Sequence, residues 1–296
     1  MAIFNPAAVL IDGQPGPWGE PTPISYDRRD VLLYAVGIGL NTLRFTYEDH
    51  PRFAVFPTFA IRWGGRGLQI DRQALPASPG PLTIDAERSL ELLAPLPLPA
   101  SAADTVTVQA RSRLLAVHPR GKGSAFSEFE TELLDAGGQA CVRIVTGVFQ
   151  RGVAGIGDIE PFQGCGSSRS NKVTLPERAP DFELATIIAP HQAQLYRLSG
   201  DYNPLHIDPE AARFGGFPAP ILHGLCTYGH CAQMLLHALC EDDARRFGSL
   251  KARFSAPVYP GDELRIVGWR DGVGRVVFEA RVGDKTVVSN ASFEHH

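Results

Sequence analysis

The sequence predicts an α+β protein made of two similar halves, each an antiparallel sheet curved around one central helix. The clearest evidence lies in the second half, where an apolar helix from His223 to about Cys240 precedes a series of strand-like runs. Cys226, Met234 and Leu236 spread apolar character around this helix, which indicates that it is buried. A buried helix followed by an antiparallel meander implies a sheet wrapped around that helix.

Short β-branched and apolar runs bounded by turn residues predict the strands of the second half. These runs cover residues 183–189, 250–258, 263–269, 275–282 and 285–291. The first half repeats the plan without clear sequence identity, with one helix and three long strands at 28–39, 105–117, 124–134 and 139–149. We therefore expect an N-terminal repeat over 1–150, a linker rich in Gly and Ser over 151–181 and a C-terminal repeat over 182–294.

Composition narrows the classes of function. The net charge of −4 gives no reason to expect nucleic acid as a partner, and no apolar run is long enough to insert in a membrane. The first residues lack the pattern of a signal peptide, and no peroxisomal tripeptide is seen at the last ones. Five cysteines, without a C-x-x-C pair, are typical of free thiols in a reducing compartment. These observations predict a cytoplasmic protein.

The most informative segment runs from Gly200 to His206. It places Asp201, Asn203 and His206 within six positions, on a turn forced by Gly200 and Pro204. A spacing of five suits neither a helix face nor a strand face, so the loop itself must bring the carboxylate and the imidazole together. Asp201 can accept a hydrogen bond from water, and His206 can take or give a proton near neutral pH. The segment predicts an enzyme that adds or removes water.

Each of these residues alone has a plainer interpretation. Asp and Asn are common turn residues that cap backbone amides, and a histidine beside them is often only solvated. For each residue taken singly, this structural interpretation and a catalytic one have about even odds. The complete string makes local capping alone a poor explanation. Asn203 is expected to orient its neighbours, since an amide both donates and accepts.

Gly224, at the start of the apolar helix, is a candidate donor to a developing oxyanion. A backbone N–H at a buried helix start has no intrahelical acceptor and can stabilise a thioester oxygen that becomes an enolate. Alternatively, Gly224 only lets the helix pack closely, and both roles are compatible. We interpret the neighbouring His223 as a structural polar residue.

Other polar residues show no comparable constellation. The remaining candidate histidines at 50, 118, 191, 230 and 237 are expected to be surface or satisfied core residues. No H-x-x-x-H, H-E-x-x-H or Cys/His cluster with ligand spacing occurs, so no metal site is expected. Lys122, Lys251 and Arg253 could bind a phosphorylated carrier, although exposed structural charges are the better interpretation for any one of them.

Several segments of the chain resemble one known family. Residues 196–209, which contain the loop above, closely resemble the hydratase 2 motif of the MaoC-like dehydratases. The resemblance continues through 220–228 and 251–261 and, in the first half, through 31–39 and 55–59. It spans nearly the whole chain and is strongest to the two-repeat hydratase 2 unit of multifunctional peroxisomal enzymes.

The resemblance implies a double hot-dog fold, a homodimer, and (R)-specific hydration of trans-2-enoyl-CoA to (3R)-3-hydroxyacyl-CoA or the reverse reaction. It implies no cofactor beyond the coenzyme A of the acyl-CoA substrate. Asp201 and His206 would form the catalytic pair, with Asn203 assisting and Gly224 donating to the thioester oxygen. The implied substrate-contact residues are Lys122, Tyr202, Pro204, Leu205 and Phe254. A further contact, a His-Gly pair in the family, falls at Asp85-Ala86 here, which is a departure from the pattern.

Two other functions are compatible with the residues. A hot-dog thioesterase would use the same carboxylate and water to hydrolyse the thioester, and it would release free thiol from acyl-CoA. A non-catalytic acyl-carrier binding protein would bind substrate without turnover, but binding alone has no need for Asp201, Asn203 and His206 together. In the family the first repeat shelters the acyl chain, which would explain why this half lacks the catalytic loop.

Overall fold

The computed structural model describes residues 15–70, 75, 78, 83–153 and 170–296. Its strands are β1 Thr22–Tyr26, β2 Thr83–Leu92, β3 Val106–Gly121, β4 Ser124–Leu134, β5 Ala140–Arg151, β6 Phe182–Ile187, β7 Phe247–Phe254, β8 Glu263–Arg270, β9 Arg275–Val282 and β10 Lys285–His295. Its α-helices are α1 Arg28–Gly37, α2 Leu43–Thr46, α3 Gln192–Tyr196, α4 Pro209–Phe214 and α5 Gly224–Cys240. The α+β class predicted from the sequence is confirmed.

The chain forms two compact units that are not its two sequence halves. Unit 1 contains Met1–Ile24, Trp63–Ser89 and Val108–Asn171, whereas unit 2 contains Ser25–Arg62, Leu90–Thr107 and Lys172–His296. Helix α1 therefore belongs with the second half. The repeat boundaries at 1–150, 151–181 and 182–294 stay a prediction, and residues 154–169 of the expected linker lie outside the described residues.

Unit 1 is built on long antiparallel strands in the order β1-β3-β4-β5-β2, with β1 and β2 each ending in residues of unit 2. The β3–β4 pairing runs from Gln109 opposite Leu134 to Gly121 opposite Ser124. The Asp135–Gly138 turn joins β4 to β5, and the amide of Asp135 donates to the Gln139 carbonyl over 2.9 Å.

Unit 2 contains the antiparallel strands β7-β10-β9-β8-β6, in that order along the sheet, and the buried helix α5. The Tyr228 hydroxyl on this helix donates to the Leu250 carbonyl of β7, and the neighbouring Cys226, Cys231 and Leu235 are fully buried. The helix predicted from His223 is therefore confirmed as a core element. Among the described helices, none combines the length and apolarity that crossing a membrane requires.

Among the element boundaries that differ from the sequence prediction, two have clear local reasons. Helix α1 ends at Gly37 rather than residue 39 because Gly39 has a left-handed backbone, with φ of 79°. Strand β7 ends at Phe254 rather than residue 258. The amides of Ser255 and Ala256 both donate to the Val287 carbonyl, which breaks the ladder, and Pro257 has no N–H to resume it.

Helix α5 approaches the end of α1 closely at Gly229. A Cβ atom on Gly229 would lie 2.4 Å from Ile38 Cγ2 and 2.8 Å from Ile38 Cβ. Ile38 is fully buried and caps α1. Glycine is therefore required at this helix crossing by the absence of space for a side chain.

We predict that Gly229→Ala lowers the free energy of unfolding by roughly 1–3 kcal/mol, because an overpacked core must shift to admit the methyl group. Helix propensity alone predicts the opposite, a gain of roughly 0.5–1 kcal/mol. A double-mutant cycle with Ile38→Ala, followed by denaturant unfolding, separates the two effects. The loss should shrink in the Ile38→Ala background; an equal loss in both backgrounds contradicts the steric account.

Candidate active site

The loop between α3 and α4 is held by its own side chains. A 3₁₀ turn over Arg197–Ser199 ends at Gly200, whose φ of 116° is left-handed and turns the chain as predicted. The Asn203 amide then donates to Asp201 Oδ1 over 3.2 Å, and the Leu205 amide donates to Asn203 Oδ1 over 3.1 Å. Asp201 and Asn203 thus do cap backbone amides, as the plainer interpretation requires, while the same contacts fix where the loop places its functional groups.

His206 ends the 3₁₀ turn that begins at Pro204, and it is only 8% exposed. Its Nδ1 lies 2.9 Å from the carbonyl oxygen of Ile221. A carbonyl can only accept, so Nδ1 carries the proton and Nε2 of the neutral ring has a free lone pair. Burial lowers the pKa of His206 below 6.5, against the opposing effects of the Ile221 carbonyl and Asp201. The ring is therefore set up as a neutral proton acceptor.

His223 stacks directly on His206, with ring centroids 3.7 Å apart and an interplanar angle of 26°. Its Nε2 donates to the Asp201 carbonyl over 3.2 Å, which ties the start of α5 to the loop. Burial, followed by the proximity of His206, lowers the pKa of His223 to about 4. His223 is thus a neutral ring that supports both catalytic candidates, consistent with a structural role but much closer to the chemistry than the sequence indicated.

One nitrogen or oxygen atom from each of Asp201, His206 and His223 lies within 4.8 Å of the others. Three such groups could in principle ligate a metal ion. The two imidazoles are stacked, however, and one nitrogen of each ring already faces a backbone carbonyl: Ile221 for His206 Nδ1 and Asp201 for His223 Nε2. The exposed Asp201 carboxylate beside the buried His206 is better suited to holding a water molecule.

Gly224 is the first residue of α5, directly after His223. An amide at this position has no acceptor within its own helix and lies at the positive end of the helix dipole. A Cβ on Gly224 would meet the Phe254 ring at 3.4 Å, an ordinary contact distance. Close packing therefore does not by itself require glycine here. Phe254, a predicted substrate contact, lies beside this amide.

The other predicted contacts on the loop differ in exposure. Tyr202 is 58% exposed and lies under the Arg197 guanidinium, 5.0 Å from the ring centroid. Pro204 is exposed at the start of the 3₁₀ turn, and Leu205 is half-buried against Gly215. An aromatic ring and an alkyl side chain are thus available at the mouth of the loop.

Three predicted substrate contacts belong to unit 1. Lys122 lies in the β3–β4 turn with a left-handed φ of 50°, Asp85 lies on β2 in an ion pair with Arg88, and Ala86 follows it. Their roles stay predictions. The ion pair gives Asp85 a local function that its position in the family pattern did not indicate.

Sequence reasoning missed a group of residues behind the loop. The ring of Tyr196 lies 4.9 Å from His223 and 6.3 Å from the buried Tyr34. Arg62 donates through Nη1 to the Ser199 carbonyl over 2.9 Å and stacks on Phe59 at 4.2 Å. Arg62 is 137 positions away from Ser199, so no local pattern could reveal that it supports the turn before Gly200.

The remaining histidines mostly have the partners expected of surface or core residues. His50 accepts from the Arg52 amide, His118 contacts Glu128, and His237 contacts Asp242. His230 is the exception: Gln233 contacts its Nδ1 over 2.9 Å, but its buried Nε2 has no hydrogen-bond partner among the residues described here. The expectation of a satisfied core histidine is therefore wrong for one of its nitrogens.

Comparison with known proteins gives consistent matches over both halves. Residues 24–152 match the family model described as the MFE-2 hydratase 2 N-terminal domain, and residues 171–292 match the MaoC like domain. The Enoyl-CoA hydratase 2, peroxisomal, of Arabidopsis thaliana is 34% identical over 286 residues, covering 90% of each chain. The Peroxisomal multifunctional enzyme type 2 of Mus musculus is 34% identical, covering 90% of this chain and 36% of its own.

Solved structures of similar proteins agree with these sequence matches. A MaoC-like dehydratase from Phytophthora capsici superposes with a TM-score of 0.86 at 32% identity, covering 99% of this chain and 98% of its own. The full-length peroxisomal multifunctional enzyme type 2 of Drosophila melanogaster gives 0.77 at 31% identity, over 93% of this chain and 48% of its own. The chain therefore belongs to the hydratase 2 group of the MaoC-like family, with the double hot-dog fold.

Proposed function

We propose that this protein is an (R)-specific enoyl-CoA hydratase, which converts trans-2-enoyl-CoA and water into (3R)-3-hydroxyacyl-CoA in fatty acyl metabolism. The observation that carries the proposal is the placement of the Asp201 carboxylate and the neutral His206 ring beside the start of α5. The names of the relatives support the same reaction.

The reaction begins with one water molecule held between Asp201 and His206 Nε2. As the water oxygen forms its bond to C3 of the enoyl thioester, Nε2 takes the released proton. The electron pair of the C2–C3 double bond moves toward the thioester, whose oxygen gains enolate character. His206 then returns the proton to C2 on the same face, so that one water molecule is added in all and the ring is neutral again.

The start of α5 stabilises the intermediate charge. The Gly224 N–H donates to the enolate oxygen, and the helix dipole adds to this effect. Loss of one such donor typically costs about 2.7–4 kcal/mol of transition-state stabilisation. Asn203 acts indirectly, because its side chain holds the turn that carries His206.

No cofactor and no metal enter this proposal; the coenzyme A belongs to the substrate. We also propose a homodimer as the functional form, on the family resemblance alone. The cytoplasmic location stays a prediction, and the Arabidopsis thaliana relative is named as peroxisomal.

The direct test follows the conjugated-enoyl absorbance of trans-2-enoyl-CoA, with chiral analysis of the product. We expect the band to disappear and (3R)-3-hydroxyacyl-CoA to form, and His206→Ala to lose at least about 10²-fold in turnover while remaining folded. Release of free thiol in place of hydration would instead support the thioesterase, and tight binding without turnover the binding protein. A folded His206→Ala protein with near-normal turnover contradicts the assignment of His206.

A second prediction isolates the Gly224 amide. Gly224→Pro removes the N–H at a helix position where proline is well accepted, and His223 already has the extended backbone that a following proline requires, with φ of −58° and ψ of 135°. We expect kcat to fall by about 10²–10³.

The matched control is Gly224→Ala, which keeps the N–H and adds a methyl group in ordinary contact with Phe254. It should lose far less activity than the proline variant. Equal losses in the two variants would show that bulk, not the amide, limits turnover. Circular dichroism confirms that each variant retains its helices.

A further inference from the structure

A pocket of about 370 Å³ lies in unit 2, away from the loop that carries His206. Apolar side chains form most of its wall, including Phe53, Val55, Leu92, Leu96 and Leu98. The only polar side chains that line it are arginines: Arg44, Arg52 and Arg245. Its volume lies near the lower end of the roughly 300–1,000 Å³ typical of small-ligand sites. The pocket therefore suits a small, mainly apolar molecule.

The pocket is remote from the catalytic loop. Two of its residues, Ala244 and Arg245, follow the C-terminal end of α5, whereas Gly224 begins this helix. The helix has 17 residues, which at the usual rise corresponds to about 25 Å. A ligand in the pocket would thus lie at the opposite end of α5 from the reacting thioester.

The charges of the lining favour an anion. Arg44 is 8% exposed in its side chain and donates through Nη2 to Asp243 over 2.9 Å, but its buried Nε has no hydrogen-bond partner among the described residues. Arg245 binds the same Asp243 carboxylate. Arg52 has no ion pair with any residue that the structure describes. Two of the three guanidinium groups therefore share the Asp243 carboxylate, and the third has no carboxylate partner among the described residues.

We propose that this pocket is a second ligand site, which binds a medium-chain fatty carboxylate with its alkyl chain against the apolar wall and its carboxylate at the arginines. An alkyl chain matches a wall without polar groups, and a carboxylate supplies the acceptors that guanidinium groups lack. The inference does not depend on the reaction proposed above, because none of the pocket residues belongs to the catalytic loop.

The test is calorimetric titration of the full chain with decanoate, with decanol and decyltrimethylammonium as uncharged and cationic controls. We expect decanoate to bind and both controls to bind at least about tenfold more weakly, since only the carboxylate forms charge-assisted hydrogen bonds with guanidinium groups. Absence of decanoate binding, or equal binding of decanol, overturns the proposal.

Pocket variants locate the binding. The double variant Arg52→Gln, Arg245→Gln removes two exposed charges and should weaken decanoate binding about tenfold or more, whereas Arg265→Gln, an exposed arginine on β8, should not. Ala54→Phe, which fills the pocket, should abolish binding and leave hydration of enoyl-CoA unchanged. Decanoate binding that is unaffected by the arginine double variant would place the ligand elsewhere and contradict the proposal.

Discussion

The hydrogen bond from His206 Nδ1 to the Ile221 carbonyl joins the two segments on which the site depends. One segment is the loop that begins at Gly200, and the other is the chain that enters α5. The bond has two effects: it places the imidazole beside the helix start, and it decides which nitrogen carries the proton. His223 adds a second connection through the Asp201 carbonyl. These contacts hold Asp201 close to the start of α5.

Burial sets the protonation state of this arrangement. His206 and His223 are stacked and almost inaccessible to water, so charging either ring loses hydration, and charging both adds repulsion across 3.7 Å. The exposed Asp201 carboxylate remains in contact with solvent. The neutral His206 ring lies beside the exposed Asp201 carboxylate and can accept a proton from water because its Nε2 is unprotonated. It can then return that proton.

Local patterns in the sequence predicted most of the elements and the catalytic loop. Gly200 and Pro204 determine turns through their own backbone preferences, and those turns formed as expected. Contacts between distant segments could not be predicted in this way. Arg62 reaches Ser199, and α1 packs with the second half, only because the chain folds back on itself. The stacked position of His223 was missed for the same reason, since stacking depends on how the loop and α5 approach each other.

The tautomer and charge of His206 determine whether the ring can act as the base, and nitrogen NMR of the labelled protein over a pH series measures both directly. Because burial lowers the pKa of His206, the ring should stay neutral below pH 6.5 and charge only as the pH falls through its lowered value. At neutral pH we expect Nδ1 protonated and Nε2 unprotonated, and we expect activity to be lost in acid together with the neutral ring. A ring protonated at Nε2 alone, or an imidazolium at pH 7, would contradict the account.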